Sequence, residues 1–76
     1  MEFREDVPRW RQVADELERR IREGEYAPGT RVPSVLQLQE EFGVASATAQ
    51  KALGGVRKRG LTYTEPGLGS FVRAQT

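Results

Sequence analysis

Few side chains in this 76-residue chain could do chemistry, and their types decide what kind. There is no cysteine and no histidine. Disulfides, thiolate or imidazole metal sites, and Ser–His or Cys–His nucleophiles are thereby excluded. Carboxylates are plentiful, but no pair is singled out by its spacing, so no enzyme, cofactor or metal is expected. What remains is recognition by hydrogen bonds and charge. It concentrates in GVASATAQKALGG, residues 43–55, where Ser46, Thr48 and Gln50 are the polar groups and Lys51 is the only charge. Ser46 and Thr48 fall in the first turn of an expected helix, next to backbone N–H groups without intrahelical partners. That setting, at the positive end of the helix dipole, suits anionic oxygens.

These residues need elements to hold them. Trp10, Val13, Ala14, Leu17 and Ile21 fall at i, i+3, i+4, i+7 and i+11, one apolar stripe of a first helix. Pro8 suits its first turn and Gly24 its end. Its mixed-charge face, including the i,i+4 pair Glu18 and Arg22, reads as solvated surface. Pro28-Gly29 marks a turn, with Tyr26 and Val32 as core plugs beside it. Thr30 to Val32 is a candidate short strand that Pro33 would end. Ser34 with Gln37 forms a capping box for a short second helix, whose Leu38 and Phe42 face inward and which Gly43 ends. A third helix follows almost at once, with Ser46 as its expected N-cap and Ala49, Ala52, Leu53 and Val56 as its inward stripe. It runs to Arg57-Lys58-Arg59, where cations suit the end of the dipole. Gly54-Gly55 within it costs about 1 kcal/mol per glycine relative to alanine. The pair is either tolerated drift or a close approach of backbone to a hairpin or ligand. Period 2 then takes over, and LTYTE against SFVR around Pro66-Gly67-Leu68-Gly69 is a β-hairpin.

The fold class is thus mainly α with a small β-hairpin, a helix-turn-helix in the order α-(β)-α-α-β-β. One domain is expected over residues 8–73, with an N-terminal arm at 1–7 and a tail at 74–76. The net charge of +1 hides an asymmetry: −2 over residues 1–29 and +3 over residues 30–76. The basic part carries the 43–55 stretch, a pointer to an anionic partner. The charged start lacks the apolar core of a secretory signal, and no apolar run approaches a membrane span, so a cytoplasmic protein is expected, with no membrane partner.

Three stretches in order, GEYAPGTRVPS, EEFGVASATAQKAL and RGLTYTEPGLGSFV, resemble the winged-helix DNA-binding domain of GntR-type bacterial transcription regulators. The resemblance covers about residues 9 to 73. It implies a sequence-specific regulator of transcription, a repressor, that binds double-stranded DNA. The recognition helix, about 46–59, would enter the major groove, and the wing, about 65–70, would meet the backbone or minor groove. Gln50 points away from the inward stripe and is the leading base-reading residue, since glutamine can grip adenine through two hydrogen bonds. Ser46 and Ala47 join it, the alanine small enough to lie against a thymine methyl. Thr48, Lys51, Ser34, Arg31 and Gly67 are expected at the DNA backbone.

The pattern also has departures. Leu36 and Gln39 stand in the second helix where the family often has Arg and usually a small residue. Ser46 and Gln50 replace two cations that members often carry. The effector and dimerisation domain of most members is absent from these residues, so no effector ligand is expected. A homodimer is a candidate assembly, although no stretch reads as a dedicated dimer element. The uncharged recognition face, Leu36 and the near-zero net charge leave an alternative, a winged-helix protein-interaction module that does not read DNA.

Overall fold

Three helices and one hairpin make up the computed structural model, which describes residues 1–74. They are α1 (Arg9–Arg22), α2 (Val35–Phe42), α3 (Ser46–Lys58), β1 (Thr62–Glu65) and β2 (Gly69–Val72). This is the expected winged helix-turn-helix. The α1 stripe is buried at Val13, Ala14, Leu17 and Ile21. Pro8 stands just outside the helix as its N-cap residue, one position earlier than expected, and its carbonyl accepts from Arg11 N at 3.1 Å. The arm before it is tied down. Gln12, only 8% exposed, accepts from Arg4 N at 2.9 Å and donates to the carbonyls of Arg4 and Val7 at 2.8 Å each. A buried amide needs such partners, and here they are all arm backbone. Of the expected tail only Ala74 is described, and residues 75–76 lie outside the described residues.

The capping box on α2 is present in both directions. Gln37 N donates to Ser34 Oγ at 3.2 Å, and Ser34 N donates to Gln37 Oε1 at 2.8 Å. Gly43, at φ +66°, ends the helix in the left-handed conformation. The expected cap of α3 is corrected. Ala45 is the N-cap residue, and Ser46 is already inside the helix, with no side-chain cap hydrogen bond at that end. The turn is fixed by Val44, which is buried 7% exposed, so the helix begins where the chain leaves the core rather than at the best capping side chain. Arg59 is the C-cap residue, one short of the expected span.

The hairpin pairs Thr62 with Val72 through to Glu65 with Gly69. Leu68 N donates to Glu65 O at 3.0 Å across Pro66-Gly67, with Gly67 at φ +79°, as a type II turn requires. The expected strand at Thr30–Val32 is reduced to a single bridge, Arg31 with Phe71. Val72 N donates to Thr30 O at 2.9 Å and Val32 N to Ser70 O at 3.0 Å. Pro33 has no N–H to extend this ladder.

Helix α3 is central. It packs along α1, meets α2, and leads into β1. Ala49 and Ala52 are fully buried, in the same core cluster as Ala14 of α1. A Cβ at Gly55 would lie 3.0 Å from Trp10 Cζ3 and 3.5 Å from Ala14 Cβ, so α1 and α3 approach through an absent side chain. A Cβ at Gly54 would meet nothing within 4 Å. The two glycines therefore differ: Gly55 makes room for the half-buried Trp10 and for α1, and Gly54 answers no packing need.

The charged face of α1 is more than solvated surface. Arg59 Nη1 lies 2.8 Å from Asp15 and 2.9 Å from Glu18, which fastens the end of α3 to α1. Arg20 pairs with Glu41 of α2, with Glu16 at 2.8 Å, and with the Tyr26 hydroxyl at 2.9 Å. Glu16 also takes a hydrogen bond from Arg19, the main cause of its pKa falling from 4.5 to about 2 against the opposing effect of burial, with Arg20 helping. Glu18 and Glu41 are lowered too, chiefly by Arg22 and Arg20 respectively.

Two predictions follow from packing and charge. A carboxylate with a lowered folded pKa stabilises above its ordinary value, and that contribution is lost as pH falls through the folded value. Thermal melts should thus hold steady down to about pH 5 and then weaken toward about pH 2. Glu16→Gln should shallow that acid limb, and an unchanged limb would show that the Glu16 cluster does not carry it. Gly54→Ala should raise stability by about 1 kcal/mol through helix propensity alone. Gly55→Ala should gain clearly less, because its methyl meets the Trp10 indole, and equal gains in Tm would contradict the close seam.

Candidate nucleic-acid interface

With Ala49, Ala52 and Val56 buried, the opposite side of α3 is left to solvent. Ser46, Ala47, Gln50 and Lys51 are all exposed there, whereas Thr48 is half-buried at the flank. Ala47, Gln50 and Gly54 follow one another at helical spacing along the middle of that face. Gln50 Nε2 donates to Ser46 Oγ at 3.2 Å, so two of the expected base-reading side chains are joined one turn apart. Among the described residues no side chain caps α3, so its first-turn N–H groups keep no side-chain partner. An uncapped, outward-facing helix start is suited to a phosphate or another anion.

The remaining expected residues divide. Lys51 leans back toward α1, its Nζ 5.2 Å from the centre of the Trp10 ring, a cation–π contact. The seat that Gly55 makes for Trp10 thus also sets where the Lys51 charge lies. Ser34 has its N–H committed to Gln37, which leaves the hydroxyl hydrogen as its only free donor. Arg31 is exposed and lines an open cleft of about 550 Å³ with Tyr26, Val32, Pro33, Ser34 and Gln37. That cleft brings Arg31 and Ser34 together at the start of α2. Gly67 is exposed at the hairpin tip.

The basic run at the end of α3 is not one unit. Arg57 and Lys58 are exposed, and Arg59 is turned to Asp15 and Glu18. Gly54 continues the line from Ala47 and Gln50, in keeping with the close backbone approach that is one of the two readings of Gly54-Gly55. One feature of these surfaces has no signature in the sequence. Leu68, 61% exposed at the hairpin tip, gave no signal, since one leucine in a turn looks like a spacer. Leu36, already noted as a departure, is 63% exposed. Among the described residues, no group of His, Cys, Asp or Glu is placed to hold a metal ion. None of the described helices is long and apolar enough to cross a membrane.

A family model described as "Bacterial regulatory proteins, gntR family" matches residues 10–72. The chain is 33% identical over 66 residues to the HTH-type transcriptional repressor NagR of Bacillus subtilis (strain 168), an overlap of 87% of this chain and 27% of that protein. It is 34% identical over 68 residues to the mannosyl-D-glycerate transport/metabolism system repressor MngR of Escherichia coli (strain K12), covering 90% of this chain and 28% of the relative. The chain thus spans little more than a quarter of those relatives. Its fold matches that of the AraR DNA-binding domain, solved in complex with operator ORR3, with a TM-score of 0.82 and 35% identity, over 95% of this chain and 84% of that one. With the motif order, the uncapped outward helix and the hairpin in agreement, the chain belongs to the gntR family of bacterial regulatory proteins.

Proposed function

We propose that this chain is the DNA-reading domain of a transcription repressor that acts on double-stranded DNA in the cytoplasm. The observation that carries this reading is the exposed, uncapped and nearly uncharged face of α3, on a fold shared with an operator-bound DNA-binding domain. Helix α3 enters the major groove. Gln50 reads a base edge through its amide, Ala47 lies against a thymine methyl, and Ser46 steadies the Gln50 amide or takes a base contact itself. The α3 amino end meets a phosphate, with Thr48 at its flank, and Lys51, Arg31, Ser34 and Gly67 hold the backbone on either side. Few cations on the reading face mean that sequence is sensed by hydrogen bonds and shape, while phosphate attraction comes from the flanks. Two copies on paired half-sites form the working assembly, as helix-turn-helix regulators commonly do. A protein-interaction module without DNA reading is not favoured, because the relatives are transcription regulators.

Fluorescence anisotropy against a preferred duplex, selected from genomic fragments, and a scrambled one tests this reading. Binding should weaken steeply with salt, since each neutralised phosphate contributes about 0.9 to the slope of log K against log salt. Gln50→Ala should cost about 1–3 kcal/mol on the preferred duplex and little on the scrambled one. Lys51→Ala should weaken both alike. Duplex binding that is absent or insensitive to salt would sink the proposal, and equal behaviour of the two variants would refute this division of roles.

A further inference from the structure

The hairpin sequence TYTEPGLGSFV, residues 62–72, contains no lysine or arginine and one carboxylate, Glu65. A wing of that composition has no charge of its own with which to hold a polyanion. The segment before α2 lies along β2: Gly29 N donates to Val72 O at 2.8 Å, Val72 N to Thr30 O at 2.9 Å, and Val32 N to Ser70 O at 3.0 Å. Arg31 is the residue bridged to Phe71, and its guanidinium crosses the backbone of Gly69. A Cβ at Gly69 would lie 2.7 Å from Arg31 Nε, 3.0 Å from Nη2 and 3.2 Å from Cζ, so the side chain occupies the space that any other residue would fill. Gly69 also sits at φ +120°, a conformation that L side chains rarely adopt. Arg4, Arg19, Arg20, Arg22 and Arg59 are all in salt bridges, whereas among the described residues no carboxylate pairs with Arg31. Arg73 lies at the opposite end of the hairpin, over the Tyr63 ring.

We propose that Arg31 is the phosphate-binding cation of the wing and that Gly69 is its positioning residue. Resting on the DNA-reading function above, this makes the loop before α2 and the hairpin one contact unit. Gly69 then has two roles, closing the hairpin and leaving the guanidinium its seat. A flat guanidinium laid on backbone loses less freedom when it meets a phosphate than a free side chain would.

Two measurements on the 76-residue chain test it. The first needs no DNA: the heteronuclear NOE of the Arg31 Nε–Hε group. It should be as high as the β2 amides in the wild type and collapse in Gly69→Ala while the β1–β2 amide shifts persist. The second is the salt slope of duplex binding. Arg31→Ala should lower it by about 0.9. Gly69→Ala should lower it by about the same amount, and the double variant should fall no further than Arg31→Ala alone. An Arg31 side chain equally mobile in both proteins would overturn the seating. A Gly69→Ala loss that persists undiminished in the Arg31→Ala background would overturn the coupling, since hairpin strain would then be the cause. Wild-type binding without salt dependence would remove the DNA-reading function and the wing role together, with the NOE still reporting whether Gly69 seats Arg31.

Discussion

The close contact of α1 with α3 is what the rest of the structure depends on. Small groups mark it: Ala14 of α1 lies against Gly55 of α3, the Trp10 indole is laid over the gap at Gly55, and Ala49 and Ala52 are buried in the same core. Small residues contribute little apolar area each, so more of the hydrophobic stabilisation comes from the larger buried side chains, such as Leu17, Leu38, Leu61, Ile21 and Phe42. What the small residues provide is proximity. With α1 fixed against its back, α3 turns its opposite side wholly outward. Arg59, bound to Asp15 and Glu18, fastens the far end in the same sense. A bulkier seam would move α3 and with it every side chain on its outward face.

The charge asymmetry noted in the sequence has a structural counterpart. In the acidic first part, Arg4, Arg19, Arg20 and Arg22 are paired with nearby carboxylates, Arg20 joining α1 to Glu41 of α2, whereas Arg9 lies over the Phe3 ring and Arg11 has no ion pair among the described residues. In the basic second part, Arg31, Lys51, Arg57 and Lys58 face solvent without a carboxylate partner among the described residues. A net charge of +1 therefore coexists with a locally positive surface around α3 and the wing. Exposed ion pairs of the first kind contribute modestly to stability. The unpaired cations of the second kind remain available to an external anion.

Local chemistry was legible in the sequence. The α1 stripe, the Ser34–Gln37 capping box, the Gly43 stop and the Pro66-Gly67 turn each depend on residues within a few positions of one another. The misread features share the opposite property. Ser46 looked like a cap by its type, but burial of Val44 set where α3 begins. Arg59 looked like a dipole partner, yet its carboxylates lie 41 residues and more away in sequence. Gly55 and Gly54 looked alike, and only the position of Trp10 on another helix tells them apart. By type and place Arg31 is a backbone-contact candidate, but its seat on Gly69, far along the chain, is not legible in its sequence neighbours. The base-reading roles proposed for Gln50, Ser46 and Ala47 rest on type, exposure and family likeness together.

The central claim is that α1 holds α3 from behind so that its outward face and the wing meet DNA as one surface. Amide shift mapping by NMR on titration with a duplex tests it most directly. The account predicts large changes at residues 46–51, at Gly54 and around residues 67–69, with the amides of Ala14, Leu17 and Ile21 nearly unmoved. Changes concentrated on α1, or a spectrum indifferent to duplex, would contradict it.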